Sequence, residues 1–225
     1  MNIAILGTAP SSRDLAPFND PTWEIWTCSP GNLEAPRSDV HFEFHSLDVN
    51  WVDIELDRKL KYFEWMKQRP KLFLPRAYPG FQNGTPYPIE AMIEKYTQYF
   101  FTSSISLMMA HAIEQKPETI GIWGVDMATD DEYVLQKSGC QFFIREAHSQ
   151  GIKIVIPPES DLAVPPPVYG LCMESHMWRK LNARSQELRT RIDNLSRQRQ
   201  AISTEEVHLK GALEDLDYMI STWVK

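Results

Sequence analysis

The sequence predicts an α/β fold with a Rossmann-like, doubly wound and mostly parallel sheet, followed by a C-terminal coiled-coil helix or helical hairpin. Between residues 1 and 162, short apolar runs alternate with segments of helical spacing, which is the pattern of βαβ units. The run 119–125 (TIGIWGV) is apolar almost throughout, as in a strand buried on both faces of a parallel sheet. Beyond residue 172 a seven-residue apolar repeat replaces this alternation.

The composition is that of a globular protein with one or two domains. The chain has 225 residues, of which 43% are hydrophobic, and its formal charge of −7 argues against a protein that mainly coats nucleic acid. Three cysteines, Cys28, Cys140 and Cys172, are far apart and odd in number, so neither a disulfide framework nor a cysteine zinc site is expected. We expect a cytoplasmic protein without a membrane span, because we find no signal peptide and no run of about 18 apolar residues.

The first half of the chain predicts four short strands. They are expected at 2–6, 23–27, 41–45 and 71–74, with a brief helical stretch at 13–18 and a helix over 53–68. The segment 76–88 contains three prolines and two glycines, which predicts a loop. A loop of this length is often functional, and we expect it to act as a lid over a bound ligand.

The second half predicts the more regular part of the sheet. A helix over 102–115 is followed by the buried strand 119–125, and a helix over 130–150 ends at Gly151, a suitable C-cap. The strand 153–156 then stops at two prolines. We therefore expect a Rossmann-like domain at 1–162 and a proline-rich linker at 163–171.

The segment 172–225 is predicted to be an oligomerisation coiled coil. Seven apolar residues share one unbroken heptad position: Leu181, Leu188, Leu195, Ile202, Leu209, Leu216 and Trp223. The position four residues further on is interrupted by Ser185, Arg199 and Glu206. One long helix is favoured because a turn would usually break the phase, whereas a capping box of Ser203 with Glu206 would start the second helix of a hairpin. The pattern suits a homo-oligomer and leaves the number of chains open.

Small polar residues follow the first two predicted strands, at the sheet edge where α/β proteins bind ligands. The turn after the first strand comprises Gly7, Thr8, Ala9, Pro10, Ser11 and Ser12. Its backbone N–H groups and the helix that follows suit a bound anion. Ser29 and Asn32, after the second strand, suit hydrogen bonds to a ribose or a base. Each segment is equally compatible with an ordinary turn.

Further candidates flank the strand 119–125. Thr102 and Ser103 open the helix before it, and capping of that helix is their alternative role. Gly124 and Asp126 follow the strand, and the carboxylate of Asp126 is expected at the same sheet edge as the first turn.

An acidic cluster opens the helix 130–150. Asp130, Asp131 and Glu132, followed by Tyr133, offer a general base or ligands for a divalent cation, or they simply favour the helix dipole. His45 ends its predicted strand and is a candidate for reaching the site, with a half-buried structural role as the alternative. The histidines and cysteines do not form a metal-binding pattern, so no metal is expected.

In this order and spacing, the motifs resemble glycosyltransferase family 42, the bacterial sialyltransferases. The matching pieces are GTAPSS, WTCS, FTSSISLMMAHAIEQKPETIGIWGVDMA and GIKIVIPPESDL. The motifs also resemble the related group of flagellin-modifying nonulosonic-acid transferases and an archaeal pterin pyrophosphokinase. The likeness covers about residues 1–162. With its heptad tail, the whole chain resembles proteins of tailed phages, which would place it in the host cytoplasm.

The resemblance implies a nucleotide-sugar-binding domain that transfers a sugar from a CMP-activated donor and requires no cofactor. The residues that match family motifs are Gly7, Ala9, Pro10 and Ser11 in the phosphate loop, Ser29 near the nucleotide, Thr102 and Ser103, and Gly124 and Asp126. The family's phosphate-binding tyrosines and general-base histidine are missing from their usual places. Only Tyr133 could replace a tyrosine, and Glu132 or His45 would have to act as the base.

Three functions are compatible with these residues. The leading hypothesis is a sialyltransferase-like glycosyltransferase that acts on a hydroxyl of a glycan, a protein or a modified DNA base, with Asp126, Glu132 and His45 as catalytic candidates. The second is Mg²⁺-dependent pyrophosphoryl or nucleotidyl transfer, with the metal on Asp126, Asp130 and Asp131. The third is a non-catalytic nucleotide- or sugar-binding module that its coiled coil docks to an assembly.

Overall fold

The computed structural model describes residues 1–48, 56–127, 131–163, 168 and 176–223. Within these ranges some side chains are outside the description, namely those of residues 56, 131–134, 163, 176–177 and 179–180. The chain forms two compact units, residues 1–164 and 165–225. None of the described helices combines the length and apolar character that a membrane crossing requires.

The first unit has an α/β Rossmann-like fold, as the sequence predicts. Its strands are β1 (Asn2–Leu6), β2 (Trp23–Cys28), β3 (Val40–Phe42), β4 (Lys71–Leu74), β5 (Gly84–Pro86), β6 (Thr119–Trp123) and β7 (Lys153–Val155). Its helices are α1 (Leu56–Lys67), α2 (Ile89–Tyr96), α3 (Ser104–Glu114) and α4 (Asp131–Ser149). The strands form one sheet in the order β5-β4-β3-β2-β1-β6-β7, and every pairing is parallel.

The strands alternate their side chains between two buried faces of the sheet. Ile3 and Ile5 of β1 pack with Met108 of α3 and Phe143 of α4, which gives the larger core cluster. On the opposite face, Tyr62 and Met66 of α1 pack against Leu72 and Leu74 of β4. Around β1, β2 and β6 this opposite face is covered by Ala16 and Phe18 rather than by a long helix. Burial on both faces explains why β1, β6 and part of β2 are continuous apolar runs.

The segment from the third strand to the second helix differs from the sequence prediction in three respects. The third strand is Val40–Phe42 rather than 41–45, because the chain leaves the sheet where Glu43 turns into a buried hydrogen-bond cluster. The predicted loop 76–88 contains β5, an edge strand among those that the structure describes. The sheet tolerates Pro86 there because an edge position does not need its missing N–H. The helix α2 follows it without having been predicted.

The predicted lid is packed in place in this structure. Tyr78 and Phe81, both from the segment 76–88, are buried beside α1. The amide of Tyr87 donates to the carbonyl of Leu74 at 2.7 Å, which extends the attachment of this segment to β4. These contacts fix much of the segment to the body of the unit, so a lid movement would have to break them.

The second unit is described as one helix, α5 (His176–Thr222). Its 47 residues run without interruption through Ser203 and Glu206, where the hairpin alternative places a turn. The long-helix prediction therefore describes this segment, and the hairpin does not. The predicted linker prolines Pro165–Pro167 lie outside the described residues.

Candidate functional site: a cleft at the sheet edge

The strand order places a crevice between β1 and β6. From β1 the chain builds β2 to β5 in one direction along the sheet, and β6 and β7 are then added on the other side of β1. The loops after β1 and β6 therefore leave the sheet in divergent directions, and open α/β sheets bind ligands at such switch points. A cleft of ≈ 490 Å³ lies there, lined by residues 7–10, 124–127, Cys28, Ile105 and Gln136. We call it the β1/β6 cleft.

Two glycines let the tips of β1 and β6 come together below this cleft. A Cβ on Gly7 would overlap the carbonyl oxygen of Gly124, and a Cβ on Gly124 would lie 2.8 Å from the carbonyl oxygen of Gly7. Gly124 also has a φ of +65°, a conformation that residues with a side chain rarely adopt. Both positions therefore require glycine, for close approach at Gly7 and also for backbone conformation at Gly124.

Two serines tie the first loop to the end of β6. The hydroxyl of Ser12, a residue that is 1% exposed, accepts a hydrogen bond from the Gly124 amide at 2.9 Å. The hydroxyl of Ser11 donates to Oδ1 of Asp126 at 2.7 Å. These two hydrogen bonds join the loops, and they bring Ser11 and Asp126 together at one sheet edge as the sequence predicts.

The prediction that the first loop offers its amides to an anion is wrong for two of them. The amide of Gly7 donates to the Trp123 carbonyl and that of Ala9 to the Gly124 carbonyl, both at 2.8 Å. The predicted helical stretch at 13–18 is only a 3₁₀ turn, Arg13–Leu15, and such a short turn has little dipole to offer. The loop therefore contributes shape and hydroxyl groups to the cleft rather than a helix N-terminus.

Asn32 is a structural residue, which corrects its assignment to a ribose or base. Its side chain is fully buried, and Nδ2 donates to the carbonyls of Leu6 at 3.0 Å and Cys28 at 2.8 Å. Its Oδ1 accepts from Nε of Arg13 at 3.3 Å. Both ends of the amide are thus used to join the ends of β1 and β2.

Ser29 lies at the end of β2 with a φ of +65°, although it is not a glycine. Residues held in this region cost of order 1–3 kcal/mol, and such strain is common at functional sites. The neighbouring Gly31 is within contact distance of Thr8, so the loops after β1 and β2 touch. Ser29 is partly exposed at this junction, and its assignment to the nucleotide stays a prediction.

Thr102 and Ser103 lie at the start of α3 and do not line the β1/β6 cleft. The Ser103 hydroxyl accepts from the Ser106 amide at 3.1 Å, and the Ser106 hydroxyl accepts from the Ser103 amide at 3.0 Å. These two hydrogen bonds form a capping box. The Thr102 hydroxyl donates to the Gln136 carbonyl at 3.3 Å. These contacts fit the helix-capping alternative, and a role in nucleotide binding stays a prediction.

The lining of the cleft is apolar with a few polar groups. Pro10, Ile105 and Met127 provide the apolar surface, whereas Asp126 and Gln136 provide a carboxylate and an amide. Burial raises the pKa of the Cys28 thiol to about 12, so this side chain is a neutral part of the floor and not a nucleophile. The surface suits a planar, partly apolar ligand with hydroxyl groups to donate.

A second candidate group is built around Glu43, a residue that the sequence analysis did not single out. Glu43 follows β3 and is 1% exposed, and its Oε1 accepts from the His45 amide at 2.8 Å and from Nδ1 of His45 at 2.6 Å. Its Oε2 accepts from the Tyr62 hydroxyl at 2.8 Å. The signal available was a carboxylate placed two residues from a histidine on each side, in HFEFH.

The hydrogen bonds behind Glu43 run in one direction. Since the Tyr62 hydroxyl donates to Glu43, Nε2 of His41, at 2.6 Å, must donate to the Tyr62 oxygen. Nδ1 of His41 then accepts from the Thr27 hydroxyl at 2.8 Å. Burial lowers the pKa of His41 to about 3, with Arg69 adding to the effect, so the ring stays neutral in this chain. The donors of Thr27, His41 and Tyr62 thus all point along the network toward Glu43.

His45 presents the other end of this network to solvent. Its side chain is 67% exposed, and the hydrogen bond to Glu43 raises its pKa, against a smaller opposing effect of burial. Because Nδ1 donates to Glu43, the neutral ring carries its lone pair on Nε2, which is the arrangement of a general base oriented by a carboxylate. His45 does not line the β1/β6 cleft, since β3 lies two strands from β1, roughly 10 Å across the sheet.

The acidic cluster at the start of α4 is only partly described. Asp131, Glu132 and Tyr133 belong to the helix, but their side chains, like the whole of Asp130, lie outside the described residues. Their roles as base, phosphate ligand or Mg²⁺ ligand therefore stay predictions. Among the side chains that are described, no three His, Cys, Asp or Glu residues are grouped as a metal site.

Comparisons with solved structures give neighbours of low sequence identity. The chain is similar to the sialyltransferase CstII from Campylobacter jejuni bound to cytidine-5'-monophosphate, with 17% identity and a TM-score of 0.49 over 72% of this chain and 82% of that one. A complex of CstII with a trisaccharide acceptor and CMP gives 16% identity and 0.46 over 69% and 80%. Thiamine pyrophosphokinase from Bacillus subtilis gives 14% identity and 0.42 over 70% of this chain but only 60% of that one. No family model and no curated protein sequence matches the chain.

Proposed function

We propose that the first unit is a sialyltransferase-like glycosyltransferase that binds a CMP-activated sugar in the β1/β6 cleft and transfers the sugar to a hydroxyl acceptor. The observation that carries the proposal is the position of this cleft at the switch point of an all-parallel sheet. Its volume of ≈ 490 Å³ falls within the range of roughly 300–1,000 Å³ that is usual for small-molecule sites.

The chemistry of the cleft fits the nucleoside part of such a donor. Asp126 lines the cleft and its Oδ1 accepts from Ser11. In the proposed complex its second carboxylate oxygen accepts from ribose hydroxyls. Pro10, Ile105 and Met127 offer apolar surface to a base. No Lys or Arg is among the described residues that line the cleft, so the phosphate would extend out of it.

The resemblance of the sequence motifs to glycosyltransferase family 42 supports the donor class. The GTAPSS loop and the Gly124-Val125-Asp126 segment, two of the motifs that carry this resemblance, form the two walls of the cleft. Their convergence on one site gives the motif order a structural reason.

In the proposed reaction His45 is the general base. The acceptor oxygen forms a bond to the anomeric carbon of the sugar, the bond from that carbon to the phosphate oxygen breaks, and CMP leaves. The hydroxyl proton passes to Nε2 of His45, while Glu43 stabilises the imidazolium through Nδ1–H. Glu132, the sequence-based candidate for this role, is the competing base.

Calorimetry with the full chain tests the ligand class. We expect CMP to bind more tightly than UDP, ADP or GDP, and we expect Asp126→Asn to weaken CMP binding about 10–100-fold, as for a lost hydrogen bond to a charged group. Asp193→Asn, which removes an exposed carboxylate from α5, is the matched control and should leave binding unchanged. Absence of CMP binding at millimolar concentration would contradict the proposal.

Incubation with CMP-sugars tests the transferase activity. We expect CMP release that persists in EDTA, because the proposed reaction uses a histidine base and requires no metal. Activity that EDTA abolishes would favour Mg²⁺-dependent pyrophosphoryl transfer instead. Tight CMP binding with no release from any donor would favour the non-catalytic module.

A further inference from the structure

The helix α5 exposes a long apolar stripe. Ile202, Leu209, Leu213 and Ile220, which belong to the two apolar heptad positions, are between 58% and 69% exposed. The residues at the first position share one face along the whole helix, and a continuous stripe of this kind requires a partner. Its occupant can be inferred from the charges on the same helix.

Charge is distributed unevenly along α5. Residues 181–201 contain five Arg and two acidic residues, whereas residues 202–223 contain one Lys and five acidic residues. A second copy of the helix in the parallel orientation would place like charges side by side along its whole length. A second copy in the antiparallel orientation places the basic half of each helix beside the acidic half of the other.

The interior positions give the same orientation. Arg199 and Glu206 both lie at the partly polar heptad position, four residues after the apolar series. In a parallel pair each would face its own copy, Arg against Arg and Glu against Glu. In an antiparallel pair this position faces the apolar series of the other helix, so neither charge meets its like.

One antiparallel register uses the whole stripe. With the two-fold axis between Gln200 and Ala201, every residue of one heptad position lies level with a residue of the other. The levels pair Trp178 with Trp223, Leu181 with Ile220, Ser185 with Leu216, Leu188 with Leu213, Ile192 with Leu209, Leu195 with Glu206, and Arg199 with Ile202. The stripe between Trp178 and Trp223 is therefore its own complement.

This register also brings Arg199 to Glu206 of the second copy. Long side chains on a helix point toward its N-terminus, so in an antiparallel pair these two point toward each other from levels one turn apart. Within the described part of the chain Arg199 has no ion-pair partner, and no acid lies three or four residues from it. Glu206 uses Oε1 for Lys210 at 2.5 Å, which leaves Oε2 for the second copy. Symmetry gives two such pairs.

We propose that α5 joins two copies of this chain as an antiparallel coiled-coil dimer centred between Gln200 and Ala201, with Arg199 paired to Glu206 of the second copy. The proposal does not depend on what the β1/β6 cleft binds, because it rests on the second unit alone.

Charge reversal tests the pairing. In the full chain, Arg199→Glu and Glu206→Arg should each weaken the dimer about tenfold, measured by sedimentation equilibrium, because each places like charges together twice. The double variant restores both pairs with inverted polarity and should regain most of the affinity. Arg197→Glu, the same reversal on the outer face of α5, is the control and should have a smaller effect.

Spin labels test the orientation independently of stability. In a Cys172→Ser background, a label at Ala183→Cys should lie about 50 Å from its copy in the antiparallel dimer, and a label at Thr204→Cys roughly 20 Å from its copy. A parallel dimer would give roughly 20 Å at both positions. Equal short distances, a chain that stays monomeric at high concentration, an assembly larger than two chains, or a double charge swap without recovery would each overturn the proposal.

Discussion

Oε1 of Glu43 lies 2.6 Å from Nδ1 of His45, and this contact joins a carboxylate that is 1% exposed to an imidazole whose side chain is 67% exposed. The carboxylate also accepts from the buried hydroxyl of Tyr62. The buried end of this arrangement fixes the exposed ring in one orientation and one tautomer. Such support is typical of a group positioned for proton transfer, and it also links the stability of the fold to pH.

His45 should make the stability of the protein depend on pH. The hydrogen bond to Glu43 raises the folded-state pKa of His45 above the ordinary 6.5. Protonated His45 therefore stabilises the fold fully below about 6.5, and this contribution is lost as the pH rises through the folded-state pKa. We expect the free energy of unfolding of the natural chain, minus that of His45→Asn, to be larger at pH 5.5 than at pH 8.5.

The test uses the difference in the free energy of unfolding between the natural chain and His45→Asn, because other histidines change the stability with pH in the opposite sense. Burial lowers the pKa of His41 and of His111, so their charging in the unfolded chain destabilises the fold as the pH falls. Urea titrations at both pH values give the two differences. If the difference is the same at pH 5.5 and 8.5, the ion pair with Glu43 does not form in solution.

Removing the Tyr62 hydroxyl should destabilise the first unit strongly. Tyr62→Phe takes a donor from Oε2 of buried Glu43 and an acceptor from Nε2 of buried His41, so each of these two buried atoms loses its hydrogen bond to Tyr62. The expected cost is about 2–4 kcal/mol in the free energy of unfolding. Tyr99→Phe removes a hydroxyl from a residue that is 78% exposed and should change stability by less than about 0.5 kcal/mol. Equal effects from the two variants would argue against the buried network.

Gly7→Ala should separate the two walls of the β1/β6 cleft. The new methyl group would overlap the Gly124 carbonyl oxygen and lie 2.7 Å from Cγ2 of Val125. We expect a loss of about 1–3 kcal/mol, as for other overpacked sites, together with weaker CMP binding. Gly211→Ala, in α5 with nothing near the added Cβ, should instead stabilise its helix by about 0.5–1 kcal/mol. Thermal unfolding with added CMP measures both effects, and a neutral Gly7→Ala would show that the tips can separate.

Much of the sheet could be predicted because its strands are buried on both faces. The run TIGIW of β6 and the run NIAIL of β1 are apolar for that reason, and each lies within one or two residues of its predicted bounds. The strand Gly84–Pro86 could not be predicted, since it is a three-residue edge strand of Gly, Thr and Pro. Its pairing depends on β4 rather than on its own residues.

The candidate site was predictable in its position but less so in its contacts. The βαβ pattern predicts a parallel sheet whose strands end at one edge, and Gly7 and Asp126 lie at that edge as predicted. Asn32 and the amides of Gly7 and Ala9 make hydrogen bonds within the protein instead of binding a ligand. These bonds depend on how closely two loops approach each other, and no local sequence pattern shows that distance. The role of Glu43 was hidden because an apolar and polar alternation reads as a strand with a solvent-facing carboxylate.

The identity of the base can be decided by two substitutions. His45→Asn keeps an N–H group near the place of Nδ1 for Glu43 but removes the lone pair of Nε2. We expect it to lower sugar transfer from a CMP-sugar about 10²–10⁴-fold while leaving the Kd for CMP unchanged. Glu132→Gln tests the competing base in the same assay, and a comparable loss there with full activity in His45→Asn would assign the role to Glu132.

The pH profile separates a base from a residue that only shapes the site. If His45 accepts the proton, kcat/KM should fall as the pH decreases through the raised pKa of His45, because the protonated ring has no lone pair. Glu43→Gln weakens the hydrogen bond and removes the negative charge that raise this pKa, so the acidic limb should move to lower pH in a variant whose circular dichroism confirms folding. If the acidic limb of the profile stays at the same pH in Glu43→Gln, the ionisation that controls kcat/KM belongs to a group other than His45, either on the donor or elsewhere in the protein.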